Sequence, residues 1–263
     1  MSPSSDSYDW HVAGNGAIGM TMAWHLHKAG QRVCLLSRSK QPNPMQLSYR
    51  LNDEKAATWL CPTQNRPEGG TSITRLVVAS KAFSVGEILE TWAPALAENA
   101  RVYFMQNGRD FIPQGALLPS HLANLIVNSG IAAYRLDANS VVQTAMKPIH
   151  VGDAEGQARP EPEVAADLDL LAKAGFKCEW ASDIDQHRWA KLTVNAIINP
   201  LTVIYDCRNG ELLKNPEAIE LMNAMHKEAS ALFKDIGVPY GEEYLRELTE
   251  NILHATRENI SSM

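Results

Sequence analysis

The chain has 263 residues, 45% of them hydrophobic and 21% charged, with a formal net charge of -6. That length buries a sizeable core in one large or two modest domains. An acidic chain without a Lys/Arg-rich run argues against nucleic acid or an anionic membrane surface as its main partner. No apolar run approaches the roughly 18 residues of a membrane-spanning helix. The opening MSPSSDSYDW has neither the basic nor the apolar region of a secretory signal. A cytoplasmic location is therefore expected, with Cys34, Cys61, Cys178 and Cys207 as free thiols. These cysteines form no CxxC pair and the histidines show no ligand spacing, so no metal site is expected.

In chain order, WHVAGNGAIG reads as a short strand running into a glycine turn. MTMAWHLHKAG follows as a helix of about three turns closed by Gly30. QRVCLLSRS is the next strand. Strand, glycine turn, helix and strand in this order form a βαβ unit, which implies a parallel sheet. Further strands are expected at TRLVVAS (74–80), ARVYFMQ (100–106) and LIVNSGIAAYRL (125–136), with SVVQTAMKPIHVG (140–152) as a hairpin partner. A helix is expected from about Glu163, and KCEWA (177–181) is the last strand. Past Ser182 only helical patterns remain: DQHRWAKLTVNAII, PEAIELMNAMHKEASALFKDIG and GEEYLRELTENILHATRENISSM. The expected architecture is α/β, with a doubly wound sheet in a domain over 1–182 and an all-helical domain over 183–263.

Gly14, Gly16 and Gly19 give G-x-G-x-x-G between the first strand and the first helix. The first glycine permits the tight turn, the second lets backbone amides approach a pyrophosphate, and the third lets helix and sheet pack closely. The helix N-terminus adds partial positive charge for the phosphates. At the end of the second strand an NAD site carries an acid that accepts from the ribose 2′-hydroxyl. This chain has Ser37, Arg38, Ser39 and Lys40 instead. A guanidinium fork suits a 2′-phosphate, so the expected cofactor is NADPH.

Lys191, Asn195 and Asn199 recur every four residues inside an apolar helical stretch, so one helix face carries all three. Leu192, Val194, Ile197 and Ile198 point elsewhere and are expected to pack. A buried amine and two amides are costly unless paired. They form either a structural network or the lining of a polar cleft, and three at strict spacing favour the cleft. Pro200 removes an amide donor to the carbonyl of residue 196, where the helix is expected to bend.

WAKLTVNAIINPLTVIYDCRNGEL (189–212) resembles the signature of the ketopantoate reductase (2-dehydropantoate 2-reductase) family. So do GNGAIG with Arg38, SKAF at 80–83, QNG at 106–108 and ENISSM at 258–263. The resemblance spans nearly the whole chain. It implies a Rossmann domain joined to a helical domain. It also implies NADPH-dependent reduction of 2-dehydropantoate to (R)-pantoate, on the way to pantothenate and coenzyme A. By the same resemblance Lys191 is the catalytic proton donor. Asn195, Asn199 and Asn209 are substrate-contacting amides, and Ser262 binds the substrate carboxylate. Gly14, Asn15, Gly16, Ala17, Ile18, Gly19 and Arg38 hold the cofactor. Lys81 stands at the cleft on the cofactor side, Asn107 contacts both nicotinamide and substrate, and Ala133 is a further cofactor contact. The chemistry is coherent without the name. Hydride delivery to a ketone builds charge on oxygen, which an ammonium can stabilise and protonate.

Three departures stand beside the resemblance. Arg109 and Asp110 follow QNG where the family has small or apolar residues, and Ala79 and Ser80 precede Lys81. The family continues past ENISSM into further helices with an active-site Glu in a TEIDYINGY-like stretch, and that Glu has no counterpart in these residues. The alternative reading is therefore a non-catalytic or impaired NADPH-binding relative; another small 2-oxo acid as substrate is a third reading. A homodimer is compatible with all three.

Overall fold

The computed structural model describes residues 8–108, 112, 123–153 and 156–259. The chain divides into two compact units, Met1–Ile184 and Asp185–Met263.

The first unit opens with β1 (Trp10–Ala13), α1 (Ala17–Lys28) and β2 (Val33–Leu36), the βαβ unit legible in the sequence. Gly30 leaves α1 at φ +80, the left-handed conformation that ends a helix at low cost. Then come β3 (Met45–Leu51), β4 (Ala57–Cys61), β5 (Thr63–Gln64), β6 (Ile73–Val78), α2 (Val85–Trp92) and β7 (Leu96–Phe104). The unit ends with β8 (Ala123–Asn128), β9 (Ile131–Arg135), β10 (Ser140–Met146), β11 (Ile149–Asp153), α3 (Pro162–Lys173) and β12 (Cys178–Trp180).

An eight-stranded sheet runs β12-β11-β8-β7-β6-β1-β2-β5. Its neighbours are parallel except β8 and β11. β1 and β2 are buried at every residue, as strands covered on both faces are. This is a Rossmann-like parallel sheet, as the sequence led us to expect. A second sheet, β4-β3-β10-β9, was not foreseen in full. Helix α1 touches both. Its Met20, Met22 and Leu26 share one apolar cluster with Trp10, Val33 and Leu35 of the large sheet and with Leu47 and Val141 of the small one. Trp24 stacks on Tyr49 at 5.0 Å and meets Trp59 at the same distance.

The segments 125–136 and 140–152 pair antiparallel, but each is split between the two sheets. β8 pairs β11 in the large sheet, and β9 pairs β10 in the small one. The switch is made where the two passes of the chain touch. Lys147 N–H donates to Gly130 O at 2.9 Å, and a Cβ on Gly130 would lie 2.6 Å from Pro148 O. Only a glycine allows that approach.

Helix α3 is fixed to β6 and β7 by a buried charge cluster. Asp167 is fully buried and accepts from Arg75 Nε, from Arg101 Nε and Nη2, and from Tyr103 Oη at 2.7 Å. Burial, with the Asp167 carboxylate beside it, pushes the Tyr103 phenol far above its ordinary value.

The second unit has three long helices: α4 (Ile184–Ile204), α5 (Pro216–Asp235) and α6 (Glu242–Ala255). Asn215 caps α5 by accepting from the N–H groups of Glu217 and Ala218, with Pro216 at the first helical position. Gly237, at φ +75, closes it. Val194, Ile197, Ile198 and Leu201 of α4 pack with Leu212, Ala218, Met222 and Leu253. Helix α4 continues to Ile204, with Pro200 inside it. Leu201 and Thr202 are buried there, and Thr202 Oγ1 donates to Asn199 O at 2.8 Å. Among the described residues no helix is long and apolar enough to cross a membrane, and no group of His, Cys, Asp and Glu side chains could hold a metal ion.

Candidate functional site

One group of candidate residues, in the first unit, lies at the carboxyl ends of four adjacent parallel strands. Register puts Ala13 of β1 opposite both Leu36 of β2 and Val78 of β6, and Val78 opposite Phe104 of β7. Gly14, Arg38, Lys81 and Asn107 follow these strand ends within one to three residues. The first unit therefore gathers them along one edge, roughly 14 Å across at ordinary strand spacing. The edge flanks β1, where successive connections leave in opposite directions, the place where open α/β sheets bind ligands.

Each glycine of the loop has its own physical reason. Gly14 sits at φ +116, and a Cβ there would lie 3.0 Å from the backbone of Ala79 and Ser80. Gly14 N–H donates to Leu36 O at 3.1 Å, tying the turn to β2. A Cβ on Gly19 would lie 1.8 Å from Gly14 O, so no side chain fits between turn and helix. Gly16 is different: nothing lies within 4 Å of the position a Cβ would take. Its φ of -76 is open to any residue. What Gly16 keeps clear is space outside the protein, at the start of α1. That helix start has no side-chain cap and no acid in its first turn. Its first N–H groups are unclaimed within the helix, so this cradle fits a phosphate group in shape and in charge.

Ser37 is buried, and its hydroxyl donates to Ser39 O at 2.6 Å, which folds the turn that presents Arg38. The Arg38 guanidinium is exposed and lies 3.8 Å from the Glu87 carboxylate of α2. An exposed pair of this kind contributes about 0–1 kcal/mol, so an incoming phosphate can displace it. Lys81 and Asn107 are exposed, and Gly108 after Asn107 adopts φ +82. Ala133 stands elsewhere, on β9 of the small sheet, packed with Ala17 and Ile18 against the cluster around α1.

A separate group of candidate residues lies in the helical unit. Lys191, Asn195 and Asn199 stand on the single helix α4 and are half-buried. Val194, Ile197 and Ile198 are buried, whereas Leu192 is half-buried. The stripe and the packed face are thus distinct. Burial lowers the Lys191 pKa below the ordinary lysine value, because desolvation disfavours the ammonium.

Asn209 is buried beside the end of α6. It opens a 3-10 turn, Asn209–Lys214, that is tied to the end of α6. Asn209 N–H donates to Asn259 O at 3.0 Å, its Nδ2 donates to Thr256 Oγ1 at 2.8 Å, and Gly210 N–H donates to Arg257 O at 3.1 Å. Asn209 Oδ1 is buried without a hydrogen-bond partner. The side chain is a clasp between this turn and the end of α6. Periodicity could not have shown this, since the partners lie about fifty residues on. Ser262, Arg109 and Asp110 lie outside the described residues.

The two glycines separate folding from binding space. Gly16→Ala is expected to change the melting temperature by less than about 2 °C. Gly19→Ala is expected to lower it by about 5 °C or more, since its methyl group overlaps a backbone oxygen. Equal melting temperatures for the two variants would contradict this geometry.

Comparison with known proteins covers both units. The family described as ketopantoate reductase PanE/ApbA matches residues 10–156, and its C-terminal counterpart matches 183–263. The 2-dehydropantoate 2-reductase of Vibrio cholerae serotype O1 is 30% identical over 259 residues, covering 96% of this chain and 82% of that protein. The enzyme of the same name from Archaeoglobus fulgidus is 30% identical over 258 residues, with the same coverage. Among solved structures, a ternary complex of D-mandelate dehydrogenase with NADH and anilino(oxo)acetate aligns with a TM-score of 0.84 at 18% identity, over 97% of this chain and 83% of that one. A PanE/ApbA family ketopantoate reductase from Ralstonia eutropha JMP134 aligns at 0.80 and 19% identity, over 96% and 83%. At those identities the solved structures speak for the fold. The sequence matches go further: the chain belongs to the ketopantoate reductase family of oxidoreductases.

Proposed function

We propose that this protein reduces 2-dehydropantoate to (R)-pantoate with NADPH. The observation that carries the reading is the half-buried Lys191 on the same helix face as Asn195 and Asn199, in a chain whose first unit has a phosphate cradle with Arg38 on its edge. The relatives named 2-dehydropantoate 2-reductase supply the substrate class.

When bound, NADPH supplies the hydride. The N–H groups at the start of α1 receive its pyrophosphate. Arg38 exchanges the Glu87 carboxylate for the 2′-phosphate, a better partner for its planar fork. Lys81 and Asn107 serve the nicotinamide end of the same edge. On the substrate side, the Lys191 ammonium stabilises the charge that develops on the ketone oxygen and then protonates it. A lysine whose pKa is lowered gives up that proton more readily. Asn195 and Asn199 orient the hydroxyl and carboxylate groups of a small polar acid. Asn209 supports the site by holding the end of α6, the segment that leads on to Ser262.

Two assays test the reading. Lys191→Ala is expected to lower kcat by roughly 10²- to 10⁴-fold, the usual range for a positioned proton donor. The wild-type rate is expected to fall as pH rises through the Lys191 pKa, which lies below 10.5. The sign follows from the role: the donor works protonated, so activity is present below that pKa and lost above it. A Lys191→Ala variant with wild-type turnover would refute the assignment. For the cofactor, Arg38→Asp is expected to weaken NADPH by roughly 10- to 100-fold and NADH by less than about threefold, as loss of a charge-assisted pair requires. Equal effects on the two nucleotides would refute the preference for NADPH.

A further inference from the structure

We propose that Gln106 is a positioning residue for this reaction, stapling the carboxyl end of β7 to that of β6 and so setting the backbone from which Lys81 and Asn107 depart. The inference rests on the reductase reading above.

Gln106 follows the buried end of β7 and is itself buried, yet it is an amide. Its Nε2 donates to Val78 O at 2.9 Å and to Ser80 O at 3.1 Å. Both hydrogens are therefore spent on the backbone at and just beyond the end of β6. Met105 N–H also donates to Val78 O, at 3.0 Å. From the other side, Ala79 N–H donates to Ala13 O at 2.8 Å, and the Ala79–Ser80 backbone lies against Gly14. Residues 78–80 are thus held between the glycine turn and Gln106. The next residue on one chain pass is Lys81, and the next on the other is Asn107. Both have exposed side chains at the edge assigned to the nicotinamide.

The acceptor of the same amide has no such use. Gln106 Oε1 is buried without a hydrogen-bond partner, and an unmet buried acceptor is unfavourable. An apolar residue of similar size would avoid that loss. What it could not do is hold the Ser80 carbonyl. The donors are the reason for glutamine here, and what they hold is the segment that leads to Lys81.

The test uses the intact chain, with Gln106→Met, which keeps the volume and removes the donors, and Gln106→Glu. Turnover of 2-dehydropantoate with NADPH, NADPH binding by fluorescence and melting temperature are measured for each. Gln106→Met is expected to lower kcat by at least about tenfold, the effect of a misplaced reacting group. Its NADPH affinity is expected to stay within about threefold, since the phosphate cradle and Arg38 are untouched. A glutamic acid donates one hydrogen bond when protonated and none when ionised. Burial raises its pKa, so its kcat relative to wild type is expected to recover between about pH 8 and about pH 6. The Gln106→Met deficit is expected to be the same across that range. A merely structural residue would lower melting temperature, NADPH affinity and kcat together and would give Gln106→Glu no such recovery. That pattern, or a Gln106→Met enzyme within about twofold of wild-type kcat, would overturn the proposal. Should Gln106→Met not fold, the pH recovery of Gln106→Glu decides alone. Wild type that binds NADPH without turning over would instead overturn the reductase reading, and the role of Gln106 with it.

Discussion

The structure of the first unit depends on one close approach, the contact between Gly19 of α1 and the carbonyl of Gly14. No Cβ can stand there, since it would lie 1.8 Å from that oxygen. Because it is absent, the start of α1 can sit directly on the turn leaving β1, with its unclaimed N–H groups at the carboxyl end of the sheet. The rest of the helix then serves as core for two sheets at once: Met20, Met22, Trp24 and Leu26 pack toward strands on both sides. Folding and phosphate recognition thus share a single backbone contact.

The packing of α3 on the large sheet is built on another principle. There Asp167 holds α3 to β6 and β7 through the buried Arg101 and Tyr103 and the half-buried Arg75. Arg75 also lies over the Trp10 ring at 5.5 Å. Removing one partner of such a buried cluster costs roughly 3–5 kcal/mol, because a charge is left without compensation. Charge is buried and satisfied against α3, while past the strand ends Arg38, Lys81 and Asn107 are left exposed. That division is what a rigid platform with a polar working edge requires.

Much of this was legible in the sequence where the signal is local. The glycine spacing, the β1-α1-β2 unit and the helical second unit each follow from short-range pattern and turn chemistry. The i, i+4, i+8 stripe of Lys191, Asn195 and Asn199 follows from helix periodicity alone. What could not be read is what depends on distant partners. β3 pairs with β10 some ninety residues later, so a sequence scan has no reason to set up a second sheet there. The split of 125–136 and 140–152 between two sheets depends on Gly130 meeting Lys147 and Pro148. Asn209 and Gln106 are ordinary amides until their carbonyl and hydroxyl partners are seen. In both, the amide nitrogen donates to a distant partner and the acceptor is left buried without one.

The central claim is that this chain moves hydride from NADPH to the carbonyl carbon of a small 2-oxo acid. The most direct measurement uses NADPH deuterated at C4 of the nicotinamide, in each stereochemical position, with 2-dehydropantoate and the wild-type protein. One of the two labelled cofactors is expected to give pantoate carrying deuterium at C2. Pantoate without label from both, or no pantoate from a protein that binds NADPH, would contradict the claim.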